Sequence, residues 1–261
     1  RFENVSKSFH NKPILRNFNM EIQAGEMKVI LGAGGSGKTT ILKMILGLVK
    51  PDSGKVYIEG NNITDLKETE LNIIRNKIGM VFQEGALFDY LTVGENVAYR
   101  MRENRTHNEK EIAEKVQELL GFVELESSIN KFPSQLSGGM IRRAGIARAL
   151  SDNPSILLYD EPTAGLDPIT SRSICELVMK LRDIERVISI FVTHDLGSTT
   201  TLTNEFAEIQ TDGKIKFKES KNLLNLVETS IIMVRDGTIF FEGNNDDFHN
   251  TKEEYIQEFL S

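Results

Sequence analysis

The chain has 261 residues, 39% of them hydrophobic and 26% charged, and carries a net charge of -7. This length and composition fit one large α/β domain with an insertion and exclude wholesale disorder, while the acidic balance argues against a nucleic-acid footprint spread over the surface. No apolar run would span a bilayer and the N-terminus lacks the regions of a signal peptide, so a cytoplasmic location is expected. The start at Arg1 rather than Met points to a trimmed or processed terminus. Cys175, the single cysteine, excludes an internal disulfide and a cysteine metal cluster. It reads as a small apolar residue on a helix around Ser173 to Leu181.

In chain order, Phe2 to Phe9 and Ile14 to Ile22 read as two β-rich stretches joined by the turn-forming His10-Asn11-Lys12-Pro13, most simply as an antiparallel pair. Met27 to Leu31 is a short apolar strand, followed by a glycine-rich loop, Gly32 to Thr40. Ile41, Leu42, Ile45, Leu46 and Val49 then recur at helical spacing until Pro51-Asp52-Ser53-Gly54. From Asn108 to Gly121 the residues Ile112, Ala113, Val116, Leu119 and Leu120 share one face, and Asn108 with Glu111 forms a capping-box pattern, so the region of about 84–145 reads as a helical insertion. Ile156 to Tyr159 and Val187 to Val192 are continuous apolar runs of the kind buried on both faces of a parallel sheet. Asp212-Gly213 and Asp236-Gly237 each precede a strand-like segment and signal two hairpins.

The loop fits G-x-x-x-x-G-K-[ST] through Gly32, Gly37, Lys38 and Thr39, with Ala33, Gly34, Gly35, Ser36 and Thr40 completing it, and it lies between a strand and a helix. Backbone N–H groups of Gly35 to Thr39 at the positive end of a helix suit phosphates. Lys38 suits the β- and γ-phosphate charge and Thr39 a Mg²⁺ ion. An apolar strand then ends in Asp160 and Glu161. Paired with the lysine loop, Asp160 reads as a Mg²⁺ ligand, directly or through water, and Glu161 as the group that polarises the attacking water. A nucleoside triphosphate with Mg²⁺ is therefore expected at this loop.

These two motifs define a P-loop NTPase and leave its family open. Leu136-Ser137-Gly138-Gly139-Met140, ahead of a helix-like run, resembles the signature motif of ABC transporter ATPases. Gln83 after a strand, Gly165-Leu166-Asp167-Pro168 and Thr193-His194-Asp195 match the rest of that family's set. The resemblance implies an α/β fold, a RecA-like core with an antiparallel β subdomain and an inserted α-helical subdomain. It also implies a head-to-tail pair of copies sandwiching two ATP molecules. Each copy would offer Lys38, Gln83, Glu161 and His194 to one ATP and Ser137, Gly138 and Gly139 to the other; Gln83 would also approach Mg²⁺. A glycine turn at a helix N-terminus is physically suited to a γ-phosphate. Phe9 stands where the family stacks an aromatic on adenine, although a core phenylalanine in a β segment gives the same pattern. Asp167 would act at the dimer seam, and as a helix N-cap before Pro168.

Phe82 to Asp89 and Leu136 to Arg143 further resemble the ATPases of Mla or MCE phospholipid-transport systems of diderm bacteria. That likeness implies an inner-membrane permease docked near Gln83 to Tyr90, a periplasmic MCE protein, a small regulatory subunit and a place on the cytoplasmic face of the inner membrane. The alternatives are a regulatory ABC ATPase that controls a membrane partner without transport, or the ATPase of a different ABC importer or exporter. The expected organisation is a single domain over 1–261 with an atypical β-rich insertion at about 205–228. The subfamily's C-terminal arm is not recognisable in Tyr255 to Ser261.

Overall fold

In the computed structural model, which describes residues 1–105, 107–219 and 228–260, the N-terminal stretches form β1 (Phe2–Phe9) and β2 (Lys12–Met20). They pair antiparallel through His10 and Asn11, whose φ values of 48° and 61° match the twist that tight hairpins need. The buried β3 (Met27–Leu31) leads through the glycine-rich loop into α1 (Lys38–Ile45). The helical spacing predicts α1 to run on to Val49, but it ends four residues sooner. Gly47 takes φ 64°, its N–H donates to Met44 O at 2.9 Å, and the Leu48 N–H donates to Lys43 O at 2.8 Å. This is a Schellman stop, in which local glycine chemistry overrides apolar periodicity.

β4 (Ser53–Ile58), β5 (Asn61–Asn62), α2 (Glu68–Arg75) and β6 (Ile78–Val81) follow. The helical stretch holds α3 (Val93–Asn104), α4 (Glu109–Phe122) and α5 (Gly138–Ala149), with short 3-10 turns at Glu126–Ser128 and Pro133–Gln135. Asn108 caps α4 as its pattern predicts, accepting from the Lys110 and Glu111 N–H groups at 3.0 Å while Glu111 accepts from the Asn108 N–H. β7 (Ile156–Asp160), α6 (Pro168–Asp183), β8 (Ile188–Thr193) and α7 (Leu196–Asn204) complete the centre. The Asp212-Gly213 signal becomes a separate hairpin of β9 (Glu205–Ile209) and β10 (Ile215–Glu219). β11 (Thr229–Arg235), β12 (Thr238–Gly243), α8 (Asn245–Asn250) and α9 (Glu254–Leu260) close the described chain. The remainder of the expected 205–228 insertion, residues 220–227, lies outside the described residues.

The main sheet has the order β12-β11-β3-β8-β7-β6, parallel except for β12. One face packs on α3 to α6 through residues such as Tyr159, Phe191, Leu177 and Ile146. The other packs on α1 and the antiparallel sheet β2-β1-β4-β5 through Ile30, Ile41, Leu158 and Val56. Fully burying each such side chain stabilises the fold by roughly 1.5–3 kcal/mol. Both faces being covered explains why β7 and β8 are continuously apolar rather than alternating. The consequence for function lies in register. Leu31 pairs with Thr193, Asp160 with Val192 and Val81 with Tyr159, so the carboxyl ends of β3, β8, β7 and β6 lie along one edge.

Candidate nucleotide-binding site

Loops at the carboxyl edge of a parallel sheet are where such folds place ligands. Here the first loop is the segment Gly32 to Gly37 between β3 and α1. Gly37 occupies the N-cap of α1 at φ 104°, a conformation that suits glycine, and no side chain caps the helix. A β-carbon at Gly37 would lie 3.2 Å from Ile14 O and from the Ile14 side chain, so β2 presses against the start of the helix. The uncapped N-terminus presents orphan N–H donors and the positive end of the helix dipole.

Lys38 lies almost wholly inside the protein. Its Nζ donates to Gly32 O at 2.7 Å and Ala33 O at 3.2 Å and stands 3.7 Å from Glu161 Oε1. Burial pushes its pKa below the usual lysine value, opposed by the Glu161 carboxylate. The Thr39 hydroxyl donates to Asp160 Oδ1 at 3.2 Å. Burial, reinforced by Glu161, raises the Asp160 carboxyl above its ordinary range. His194, one residue past β8, places Nδ1 2.6 Å from Glu161 Oε2. Glu161 takes φ 50°, a left-handed conformation that costs a non-glycine residue about 1–2 kcal/mol. Its N–H donates to Val192 O at 2.9 Å and its carbonyl accepts from the Ala164 N–H at 3.1 Å, which pins the turn. Lys38, Thr39, Asp160, Glu161 and His194 thus form one connected polar centre.

The residues here suit a magnesium–phosphate group. Ser36 Oγ is buried with no hydrogen-bond partner, an orphan polar atom inside the loop. Thr39 and Asp160 put two hard oxygen donors side by side. Among the described residues no cluster of three or more His, Cys, Asp or Glu could hold a metal. Magnesium does not need one, since it commonly takes one or two side chains plus phosphate oxygens and water.

The other expected site residues lie apart from this centre. Ser137 is the N-cap of α5 and accepts from the Met140 N–H at 3.3 Å. A β-carbon on Gly139 would come within 2.4 Å of Thr170 Cγ2, and one on Gly138 within 3.2 Å of Leu166 Cδ2, so the signature turn packs against the loop that holds Asp167. Asp167 caps α6, accepting from the Ile169 and Thr170 N–H groups at 3.1 and 3.0 Å and from the Thr170 hydroxyl, which holds its pKa low. Among the described residues no hydrogen bond joins Ser137, Gly138 or Gly139 to Lys38 or Glu161. Gln83 is exposed on the turn after β6. Phe9 ends β1 with an exposed ring, and Lys7 Nζ, itself paired to Asp52 at 2.7 Å, sits 5.3 Å from the ring centroid.

Sequence reasoning passes over the polar supports behind the centre. The Ser198 hydroxyl donates to Thr163 Oγ1 at 3.0 Å, and Asp195 caps α7 through the Gly197 and Ser198 N–H groups. Arg142 donates from Nε to Pro162 O at 3.2 Å and from Nη2 to Ala164 O at 3.4 Å. Only the Asp195 cap carries a local signal, an aspartate opening a helix.

A family model described as ABC transporter matches residues 15–164, more than half of the chain and most of the centre described above. The chain belongs to the ABC transporter family. It carries that family's ATPase domain, in an α/β P-loop NTPase fold. It is 40% identical over 211 residues, 81% of its length, to the methionine import ATP-binding protein MetN of Legionella pneumophila (strain Lens), and spans 61% of that relative. It is 39% identical over 213 residues to the sulfate/thiosulfate import ATP-binding protein CysA of Synechocystis, spanning 58% of it. Among solved structures, the dimeric post-hydrolysis state of the ATP-binding cassette MJ0796 bound to ADP and Pi superposes with a TM-score of 0.76 at 34% identity, covering 93% of this chain and 97% of that one. The ABC transporter component cbiO1 from Clostridium perfringens gives 0.79 at 26% identity, covering 99% and 93%. Among the described residues no helix is long and apolar enough to cross a membrane.

Proposed function

We propose that the chain binds ATP with Mg²⁺ and hydrolyses it as the power-supplying subunit of an ABC transporter, working in a head-to-tail pair with a second copy and beneath a separate membrane permease. The observation that carries this reading is the junction of Lys38, Thr39, Asp160, Glu161 and His194 at one sheet edge, with the signature turn outside it. A site so divided is complete only when a second copy supplies Ser137, Gly138 and Gly139. The dimeric MJ0796 cassette supports the arrangement. Lys38 neutralises phosphate charge, Thr39 and Asp160 hold Mg²⁺ with Gln83 approaching it, and the ion supplies charge neutralisation on the transferred phosphoryl group. Glu161, oriented by His194, accepts a proton from the attacking water. Gly32, Gly34, Gly35, Ser36, Gly37 and Thr40 complete the phosphate cradle, Phe9 offers a ring face to adenine, and Asp167 acts at the seam.

The cargo we propose is phospholipid moved between the two membranes of a diderm bacterium, with an MCE protein beyond the permease and a regulatory subunit on the ATPase. The Phe82 to Asp89 and Leu136 to Arg143 segments support it. The first of these lines a groove with Leu48, Tyr99 and Arg100 that suits a permease helix, on a chain placed at the cytoplasmic face of the inner membrane. Methionine and sulfate/thiosulfate are the cargoes in the names of two relatives, and in this reading the permease selects the cargo. The whole chain is proposed to act as one ATPase domain, with the helical part at about 84–145 and the atypical insertion beginning at about 205.

The deciding experiment is Glu161→Gln. Turnover should fall about 10³-fold or more while the variant forms a stable ATP-dependent dimer on size-exclusion chromatography; retained turnover overturns the assignment of the base. Co-purification from membranes decides cargo. A multi-pass permease with an MCE protein and phospholipid supports the lipid reading, and a permease-like partner without lipid overturns it.

A further inference from the structure

We infer that Arg142 is a positioning residue that carries the state of the signature turn to the catalytic carboxylate of its own chain, so that the two nucleotide sites of a pair are mechanically tied. This inference rests on the function proposed above and gives a role to Arg142, to which the Leu136 to Arg143 resemblance assigns none.

Glu161 occupies a left-handed turn that only surrounding contacts can maintain. Two of its supports are backbone bonds, from Glu161 N to Val192 O and from Ala164 N to Glu161 O. The third comes from α5. The Arg142 guanidinium, 8% exposed, forks across the loop after Glu161 and donates to both Pro162 O and Ala164 O. A planar fork with two N–H groups on two carbonyls fixes orientation as well as distance, which an ammonium cannot do. The arrangement is costly in isolation, because burial disfavours the Arg142 charge and Glu84 opposes this only in part. A buried cation answered chiefly by two carbonyls of the catalytic turn is poorly explained as a stabilising device and well explained as a geometric one.

Arg142 also rides one turn behind Ser137, Gly138 and Gly139, at the N-terminal end of the same helix. The signature turn itself abuts Leu166 and Thr170, with 2.4 Å from a Gly139 β-carbon to Thr170 Cγ2 leaving no room for slippage. On its other side α5 touches the turn after β6, where a Gly85 β-carbon would lie 2.6 Å from Ile141 Cγ2, and Arg148 donates to Gly85 O and Ala86 O at 3.0 and 2.6 Å. Helix α5 is therefore in direct contact with the post-Gln83 turn and the loop after Glu161 and carries the signature turn at its own N-terminus. In a head-to-tail pair the signature turn serves the far ATP and Glu161 the near one. A displacement of α5 by the far nucleotide reaches the near carboxylate through Arg142.

The test compares Arg142→Met, which keeps the apolar stem, with Arg142→Lys, which keeps the charge but not the fork. Four readouts apply to the purified chain: steady-state ATPase activity, ATP affinity, amide hydrogen exchange and the unfolding temperature. Met should lower kcat about tenfold or more with ATP affinity unchanged, move the Hill coefficient for ATP toward ~1, and speed exchange at residues 161–166 while leaving 156–160 protected. Lys should recover part of kcat and little of the cooperativity. Unchanged exchange at 161–166, or kcat and ATP affinity falling together with a lowered unfolding temperature, overturns the inference while wild-type turnover leaves the proposed function standing. A wild-type chain without turnover overturns the proposed function and this inference with it.

Discussion

Asp160 is the residue where folding and function pull in opposite directions. Its carboxyl lies above the ordinary range because burial, and then Glu161, disfavour the ionised form. The folded chain consequently holds this proton more tightly than the unfolded chain. The resulting penalty is absent below the ordinary carboxylate range, grows as pH rises from the unfolded value to the folded one, and is complete above it. Asp160→Asn keeps an acceptor for the Thr39 hydroxyl and removes the charge. It should raise the thermal unfolding midpoint in magnesium-free, mildly alkaline buffer, with the gain shrinking as pH falls toward the carboxylate range. The same change should cost Mg²⁺-dependent turnover about 10²-fold or more. A variant no more stable than wild type at any pH would show that Asp160 is not under strain. Lys38 sits in a similar conflict, held in a buried place where its ionised form is disfavoured. Groups kept charged against their surroundings in this way are characteristic of sites awaiting a charged ligand.

At the scale of elements, the added β9–β10 hairpin is fixed to the molecule by charges on α6. Arg182, buried, pairs with Asp183 at 2.6 Å, and donates to Leu202 O, to Thr229 Oγ1 at 3.2 Å and to Glu205 O at 2.7 Å. The Asp183 carboxylate also accepts from the Ala207 N–H at 2.7 Å. Removing one partner of a buried pair leaves the other uncompensated. Asp183→Ala should therefore destabilise the chain by about 3–5 kcal/mol in urea unfolding. Glu205→Ala, which breaks the bidentate pair with the more exposed Arg172, should cost no more than about 1 kcal/mol. Equal effects would contradict the account of how the hairpin is held.

The same contrast explains what is legible in the sequence. Signals confined to a few neighbouring residues read correctly: the Asn108 capping box, the Asp-Gly turns of both hairpins and the strand–loop–helix around Lys38. Features that depend on residues far apart do not. Arg142 and Arg182 look in sequence like solvated charges, because most arginines are exposed, and their carbonyl partners lie at positions 162, 164, 202 and 205. The left-handed turn at Glu161 is equally silent, since nothing about a glutamate announces it. The end of α1 is misplaced by periodicity although Gly47 stands in plain view, because a run of apolar residues at helical spacing outweighs a single local stop.

For the whole molecule, the decisive issue is that the polar centre around Lys38 and the signature turn at Ser137 do not meet within one chain's hydrogen bonds. In the proposed head-to-tail pair they meet across the seam, and the chain's composition offers a clean way to test this. Cys175 is the single cysteine, is buried, and has its thiol pKa pushed up to about 12 by burial, so it stays protonated and unreactive. A β-carbon added at Gly34 would meet no heavy atom within 4 Å, and Ser137 is exposed, so each position accepts a cysteine without crowding. Chains carrying Gly34→Cys and chains carrying Ser137→Cys, both with Glu161→Gln to hold ATP, should join through a short bis-thiol-reactive linker when mixed. The product should be a covalent dimer on a denaturing gel, dependent on ATP and Mg²⁺, with either chain alone giving little. Cross-linking that is as strong with one chain alone would point to a different pairing of surfaces. Absence of any product in the mixture, under conditions where the cysteine-carrying chains themselves elute as an ATP-dependent dimer, would place Ser137 away from the partner's phosphate loop and overturn the shared site.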